Sequence, residues 1–216
     1  MIICVVRVIF AWNLLYENMK KLSREFYTRD DTLQIARDLL GKTLVVPTSY
    51  GERVSAMIVE TEAYLGIEDK AAHSYGNRRT QRTETMFAVG GTVYVFFIYG
   101  MYYQFNVVVG EEGTPHACLI RAVEPIENIE LMRERRGHMK DINLTSGPGK
   151  LCIALGVDKT FNNEDLLGNR AWLEEGAKIS DEKIACGKRV GIDYAEDYAE
   201  KLWRFWIKDN PFVSRK

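Results

Sequence analysis

Residues 92–109 read TVYVFFIYGMYYQFNVVV. Two runs rich in aromatic and β-branched residues, 92–98 and 102–109, flank the link Tyr99-Gly100-Met101. Those residue types favour a pleated, half-buried surface, and so short a link returns the chain antiparallel. The stretch therefore predicts a β-hairpin. Alternation along a strand accounts for most of its rings as core. It does not account for Tyr99, Met101 and Tyr102 at the tip, where turns ordinarily carry Gly, Asn or Asp. An apolar tip is either buried against another element or free to enter something apolar, such as a base stack.

Short strands continue on both sides. Residues 42–47 (KTLVVP) and 54–61 (VSAMIVET) read as strands joined by the turn Ser49-Tyr50-Gly51, with further strands at 117–123 (ACLIRAV) and 201–207 (KLWRFWI). Helical spacing covers 31–40, with Asp30 or Asp31 as N-cap and Gly41 as stop. It recurs at 127–136 and at 146–155, which opens on a Ser146 cap beside Pro148 and closes at Gly156. Hairpins at the centre with helices at the flanks predict an α+β fold. The expected architecture is a single domain, a mostly antiparallel β-sheet with flanking helices and a protruding β-hairpin. No internal repeat and no βαβ alternation competes with it.

The 216 residues suffice for one large domain or two small ones, and no linker-like stretch divides them. Lys+Arg (29) and Asp+Glu (30) nearly cancel, so a general polybasic coat is excluded and any polyanion site must be a local patch. Cys4, Cys118, Cys152 and Cys186 form no Cys-x-x-Cys, and His73, His116 and His138 form no His-x-x-x-His. No metal and no cofactor are expected. Residues 1–16 (MIICVVRVIFAWNLLY) are apolar but shorter than the roughly 17–25 residues of a membrane span. They also lack the features of a signal peptide. Met19 precedes an ordinary polar start, so residues 1–18 are expected to be a gene-model extension and the domain to cover 19–216, with an amphipathic anchor as the alternative. The intact mass of the native protein decides this.

Chemistry-bearing residues cluster in several places. In 60–73 (ETEAYLGIEDKAAH), Glu60 and Glu62 leave an apolar strand on one face. They suit acid–base work, a metal, or solvated charge at a strand exit. Tyr64 and His73 follow, as in a pocket for a planar ligand. Ser146-Gly147-Pro148-Gly149-Lys150 suggests a phosphate loop, but Leu144 and Leu151 stand where a Walker A loop needs Gly and Ser or Thr. A helix start with free N–H groups beside Lys150 remains, which suits a backbone phosphate or a capping role alone. The order of residues is also wrong for a helix-hairpin-helix. Basic residues group at Arg78, Arg79 and Arg82, at Arg133, Arg135, Arg136 and Lys140, and at Lys188 and Arg189, which fits polyanion binding at one face, with solvated charge an equal alternative for the helix group 133–140.

Taken in order, LLGK (39–42), VETEAYLG (59–66), DKAAHS (69–74), TVYVFFIYGMYYQFN (92–106), LIRAVEP (119–125), SGPGKLC (146–152), ALGVDK (154–159) and RVGID (189–193) resemble one family. It is the alkyladenine (3-methyladenine, 3-methylpurine) DNA glycosylases of the non-helix-hairpin-helix type, matched over about residues 31–213. The resemblance implies an enzyme of base excision repair that bends double-stranded DNA, flips out an alkylated or deaminated purine and hydrolyses its N-glycosidic bond. It assigns Glu62 as general base for a water that Arg121 and the main-chain carbonyl of Val190 also position. Tyr64, His73 and Phe96 become the walls of the base pocket, with Phe96 standing where some members carry Tyr. Asn106 becomes the residue that crowds the exocyclic amino group of guanine. Tyr99, beside Met101 and Tyr102, becomes the wedge that fills the gap in the duplex. Arg78, Arg79, Ser146 and Lys150 are the expected backbone contacts, while Tyr103 and Gln104 depart from the family's pattern. Lys70 is the only Lys in the Glu62–His73 core, so no Schiff-base nucleophile and a monofunctional hydrolysis are expected. The protein is expected to be a cytoplasmic monomer, nucleoid-associated if bacterial, without a membrane partner. The rival readings are a non-catalytic damaged-DNA-binding protein on the same fold and a hydrolase of free nucleosides.

Overall fold

The spine of the computed structural model, which describes residues 21–215, is an antiparallel pair of long strands, β2 (Ser55–Tyr64) and β5 (His116–Glu127). β2 is buried along nearly its whole length and β5 over 117–123, where the sheet is covered on two faces. β5 pairs next with β4 (Tyr102–Val109), and β4 with β3 (Val93–Ile98), the expected hairpin. The other edge of β2 is shared. Its first part pairs with β1 (Thr43–Val45), which leads to β6 (Trp172–Glu174). Its later part pairs with β8 (Arg204–Ile207), which leads to β7 (Ile184–Gly187). The result is one open, antiparallel, eight-stranded sheet in a single domain, so the α+β expectation holds.

The period of two sorts the strands' residues between two faces. Val93, Val95, Phe105, Val107, Cys118 and Ile120 enter the main core. There they meet Ile35 and Ala36 of α2 (Thr32–Asp38) and Leu151, Cys152 and Leu155 of α4 (Pro148–Leu155). α1 (Arg24–Tyr27) and α3 (Ile129–Arg135) are the other α-helices among the described residues, which also hold several short 3-10 helices. The opposite face carries a row set by the register: Tyr94 opposes Asn106, Asn106 opposes Leu119, Leu119 opposes Glu62, and Glu62 opposes Arg204. That row underlies the site.

Asp31 caps α2 by accepting from the N–H of Gln34 at 2.9 Å. The cap expected of Ser146 is not made. Gly147 takes φ 155°, a conformation reserved for Gly, and occupies the N-cap position, so Ser146 lies one residue too early. Its hydroxyl instead lies 3.4 Å from Lys150 Nζ, which donates to it. α3 starts at Ile129 because β5 runs on to Glu127 and Asn128 turns the chain at φ 59°. The last strand covers only Arg204–Ile207. The expectation for residues 1–18 lies outside the described residues. Among the described residues, no helix is long and apolar enough to cross a membrane.

Candidate active site

Glu60 and Glu62 share a face of β2, and β5 brings Arg121 between them. Two register shifts leave Val59 of β2 and Arg121 of β5 without a partner across the ladder. Such irregularities re-aim side chains. Arg121 donates through Nε to Glu60 at 3.0 Å, and its NH1 lies 3.2 Å from Glu62 Oε1. Glu62 Oε1 also accepts the Val190 N–H at 2.7 Å, and Oε2 accepts the Tyr64 hydroxyl at 2.8 Å. Both carboxylates are 0% exposed, so the reading as solvated charge at a strand exit is overturned. Burial pushes the Glu62 carboxyl above its ordinary value, and neighbouring Glu60 adds to this. Arg121, the Val190 N–H and the Tyr64 hydroxyl pull the other way.

In front of Glu62 opens a cavity of about 110 Å³ lined by Tyr64, His73, Phe96, Tyr99, Asn106, Arg121 and Val190, along with Tyr94, Leu119 and Tyr194. Seven sequence candidates thus line one space, with Glu62 directly behind Arg121 and Val190. The His73 ring meets Phe96 edge-on at 4.5 Å, and its Nδ1 is 2.9 Å from the Tyr94 hydroxyl. Burial, with the charges of Arg82 and Arg78, pulls the His73 pKa down to about 4, so the imidazole is neutral at pH 7. Asn106 donates its amide to the Tyr94 carbonyl at 3.1 Å, which fixes the side chain in the floor.

The hairpin tip stands at the rim. Tyr99 is 78% and Met101 62% exposed. Tyr99 takes φ 54° and Gly100 φ 69°, closed by the Met101 N–H donating to Ile98 C=O at 3.2 Å. A positive φ is ordinary for Gly and strained for Tyr, at about 1–3 kcal/mol. Tyr102 behaves differently. It folds back on Gly149 at the start of α4, where an added Cβ would come within 2.9 Å of its ring. Of the three expected tip residues, Tyr99 and Met101 are the most exposed, while Tyr102, 37% exposed, rests one side of its ring on Gly149.

The basic groups divide similarly. Among the described residues, Arg78 and Arg82 make no ion pair with a carboxylate, and they line a second cavity of about 310 Å³ that shares His73 with the first. Arg79 is held by Glu84 in a two-point pair at 2.9 and 2.6 Å. Arg133 is tied to Glu130 and Asp141, Arg136 donates to the Leu144 carbonyl, and Lys188 pairs with Glu200. Arg189 is not a surface charge. It is buried on Asp69 at 2.5 and 2.8 Å, with its guanidinium 4.7 Å from the Tyr64 ring centre. Sequence reading missed the site roles of Tyr94, Arg189 and Asp69. Tyr94 was findable, since it sits two residues before Phe96 and so on the same face. Nothing local marks the Arg189–Asp69 pair.

The site thus sets a buried carboxylate behind an aromatic pocket, with an exposed Tyr at its rim. The family description Methylpurine-DNA glycosylase (MPG) matches residues 25–211. A Desulfitobacterium hafniense (strain Y51) protein is 53% identical over 206 residues, covering 92% of this chain and 100% of the relative. A Clostridium novyi (strain NT) protein is 50% identical, with 92% and 100% covered. One from Clostridium acetobutylicum is 52% identical, with 90% and 97% covered. All three are named, provisionally, as 3-methyladenine DNA glycosylases. The chain belongs to the methylpurine-DNA glycosylase family.

Proposed function

We propose that this member of the family takes double-stranded DNA, extrudes an alkylated or deaminated purine into the 110 Å³ cavity and hydrolyses its N-glycosidic bond with Glu62 as general base. The observation that carries the reading is the position of Glu62: wholly buried, held by Arg121, Tyr64 and the Val190 N–H, and one layer behind an aromatic pocket. A carboxylate oxygen accepts two hydrogen bonds, so Oε2 keeps a free lone pair beside Tyr64 for a water. A base inside a duplex cannot be reached, so it must leave the stack at a cost of a few kcal/mol. Tyr99, exposed at the rim, is placed to occupy the vacated space.

As the C1′–N bond breaks, its electron pair goes to the purine and the sugar gains oxocarbenium character. The Glu62 carboxylate faces that charge. Water bonds to C1′ and gives a proton to Glu62. A purine alkylated at N3 or N7 is cationic, departs neutral and needs no acid. Neutral His73 and the Phe96 and Tyr64 rings offer such a base stacking surfaces without a competing cation on the imidazole. Arg78, Arg82 and Lys150 supply the local positive charge that a net charge of −1 otherwise denies to a DNA-binding face. The protein acts as a monomer where chromosomal DNA lies.

The test is incubation, without added metal, with duplex DNA alkylated by a methylating agent or carrying one hypoxanthine, and chromatography of released bases. 3-Methyladenine, the base in the relatives' names, is the first to seek. Release by wild type and not by Glu62→Gln is expected. Lesion-dependent binding without release would make the protein a damage-recognition module instead. Trapping with borohydride should give no covalent complex.

A further inference from the structure

Glu60 does not line the cavity, yet four donors hold its carboxylate. Arg121 Nε, Arg204 NH1 and the Ser214 hydroxyl each lie 3.0 Å from Oε1, and the Ser214 N–H donates to Oε2 at 2.6 Å. Ser214 comes from the C-terminal segment, far from β2 in sequence. Its hydroxyl also accepts from Arg121 NH2 at 3.3 Å, while Arg204 NH1 holds the Arg215 carbonyl at 3.1 Å. Each nitrogen of Arg121 therefore has its own partner: Nε on Glu60, NH1 on Glu62 and NH2 on Ser214. A guanidinium held at three corners cannot turn.

We propose that Glu60 and Ser214 are positioning residues for the Glu62 base, with the C-terminal segment clamping Arg121 so that one of its nitrogens stays on Glu62. The inference rests on the reading of Glu62 as the base. Charge balance argues the same way. Two buried carboxylates, Glu60 and Glu62, face two guanidiniums, Arg121 from β5 and Arg204 from β8. The other groups facing Glu62 are the Tyr64 hydroxyl and the Val190 N–H, with the self-neutralised Arg189–Asp69 pair beyond Tyr64. Remove the Glu60 charge, and both guanidiniums have Glu62 as their remaining buried carboxylate in this cluster. Arg121 then swings towards it, and the base becomes weaker.

The experiment is single-turnover base release from lesion duplex across pH, with duplex affinity, for wild type, Ser214→Ala, Ser214→Thr and Glu60→Gln. Ser214→Ala is expected to slow release about tenfold with Kd for the duplex unchanged, and Ser214→Thr to restore it. Glu60→Gln is expected to slow release about a hundredfold, in keeping with a small misplacement of a catalytic group. Its acid limb should also move to lower pH, because a neighbouring negative charge that raised the Glu62 pKa is gone. Wild-type rate and profile in both Ser214→Ala and Glu60→Gln would overturn the inference alone. So would a loss matched by weaker DNA binding or unrelieved by Thr, which marks a merely structural contact. Should Glu60→Gln fail to fold, the Ser214 pair decides. Absence of release by wild type overturns the inference together with the reading beneath it.

Discussion

The floor of the pocket and the tip of the hairpin lie at opposite extremes of one site. At the floor, every oxygen of Glu60 and Glu62 has a partner and neither residue touches solvent. At the tip, Tyr99 and Met101 are largely exposed, on a backbone strained at Tyr99. The floor is finished before substrate arrives. The tip, on the function proposed above, is arranged for a contact with DNA. Chemistry needs a carboxylate fixed within tenths of an ångström, whereas insertion needs apolar surface kept available, at the expense of some stability.

The contrast breaks most severely at Glu62. Glu62→Gln keeps the shape and the Tyr64 and Val190 neighbours but cannot take a proton. Base release in single turnover should fall about 10²–10⁴-fold, while lesion-duplex affinity holds. A fall of less than tenfold would mean that the finished floor is architecture and that the chemistry lies elsewhere.

His73 extends the floor's character into the wall, and its signature is pH dependence of stability. Its pKa is about 4 in the folded protein against 6.5 for the ordinary group, chiefly because of burial. The folded state therefore binds the proton less readily than the unfolded chain. The stabilisation is present above pH 6.5 and is lost as pH falls towards 4, by up to about 3 kcal/mol. Urea unfolding of wild type and His73→Gln at pH 6.5 and 4.5 isolates it as a difference. The wild type should lose more stability than the variant. Parallel losses would mean that His73 is solvated.

At the tip the sign reverses. Tyr99→Gly removes the wedge and also relieves the left-handed strain. Duplex base release should fall about ten- to a hundredfold while unfolding free energy rises by about 1 kcal/mol. If Tyr99→Gly lost activity and stability together, the tip would be packing rather than instrument.

How far the sequence foretold this division depends on the range of each signal. Val93 and Val95 against Tyr94 and Phe96 is a period of two, written within six residues, and it made the hairpin legible, but alternation alone assigned the rings to the core, whereas Tyr94 and Phe96 line the pocket. Glu62, Tyr64 and Tyr99 were singled out together through the family's motifs, while local pattern alone left Glu62 open between chemistry and solvated charge. β6 and β7 were not, because three- and four-residue strands are defined by the partners they meet rather than by their own pattern. Arg189 looked like half of a surface pair with Lys188. Its burial depends on Asp69, 120 residues away, and on Tyr64 and Trp203 closing over it. Ser214 and Glu60 are 154 apart. No spacing rule reaches that far.

Tyr102 marks where floor and tip change over, and a small substitution should sharpen the boundary. It begins β4 next to the exposed Met101, yet its ring lies on Gly149, anchoring the hairpin base to α4. A methyl group at position 149 would sit 2.9 Å from the ring carbons and 3.0 Å from the Tyr102 Cβ. Cβ is backbone-linked and cannot swing aside, so the hairpin itself must shift. Overpacking of this kind costs about 1 kcal/mol at the low end, slightly offset by the better helix propensity of Ala. Gly149→Ala should therefore lower unfolding free energy by about 1 kcal/mol. It should also slow duplex base release a few-fold, by moving Tyr99 relative to a floor that stays intact. The two parts are separable by assaying a free alkylated nucleoside, which needs the floor but not the wedge. Any turnover of that substrate should be the same in wild type and Gly149→Ala. An equal loss on both substrates would mean that the hairpin's anchorage on α4 supports the floor too, and that the site is one rigid body rather than a fixed base carrying a poised arm.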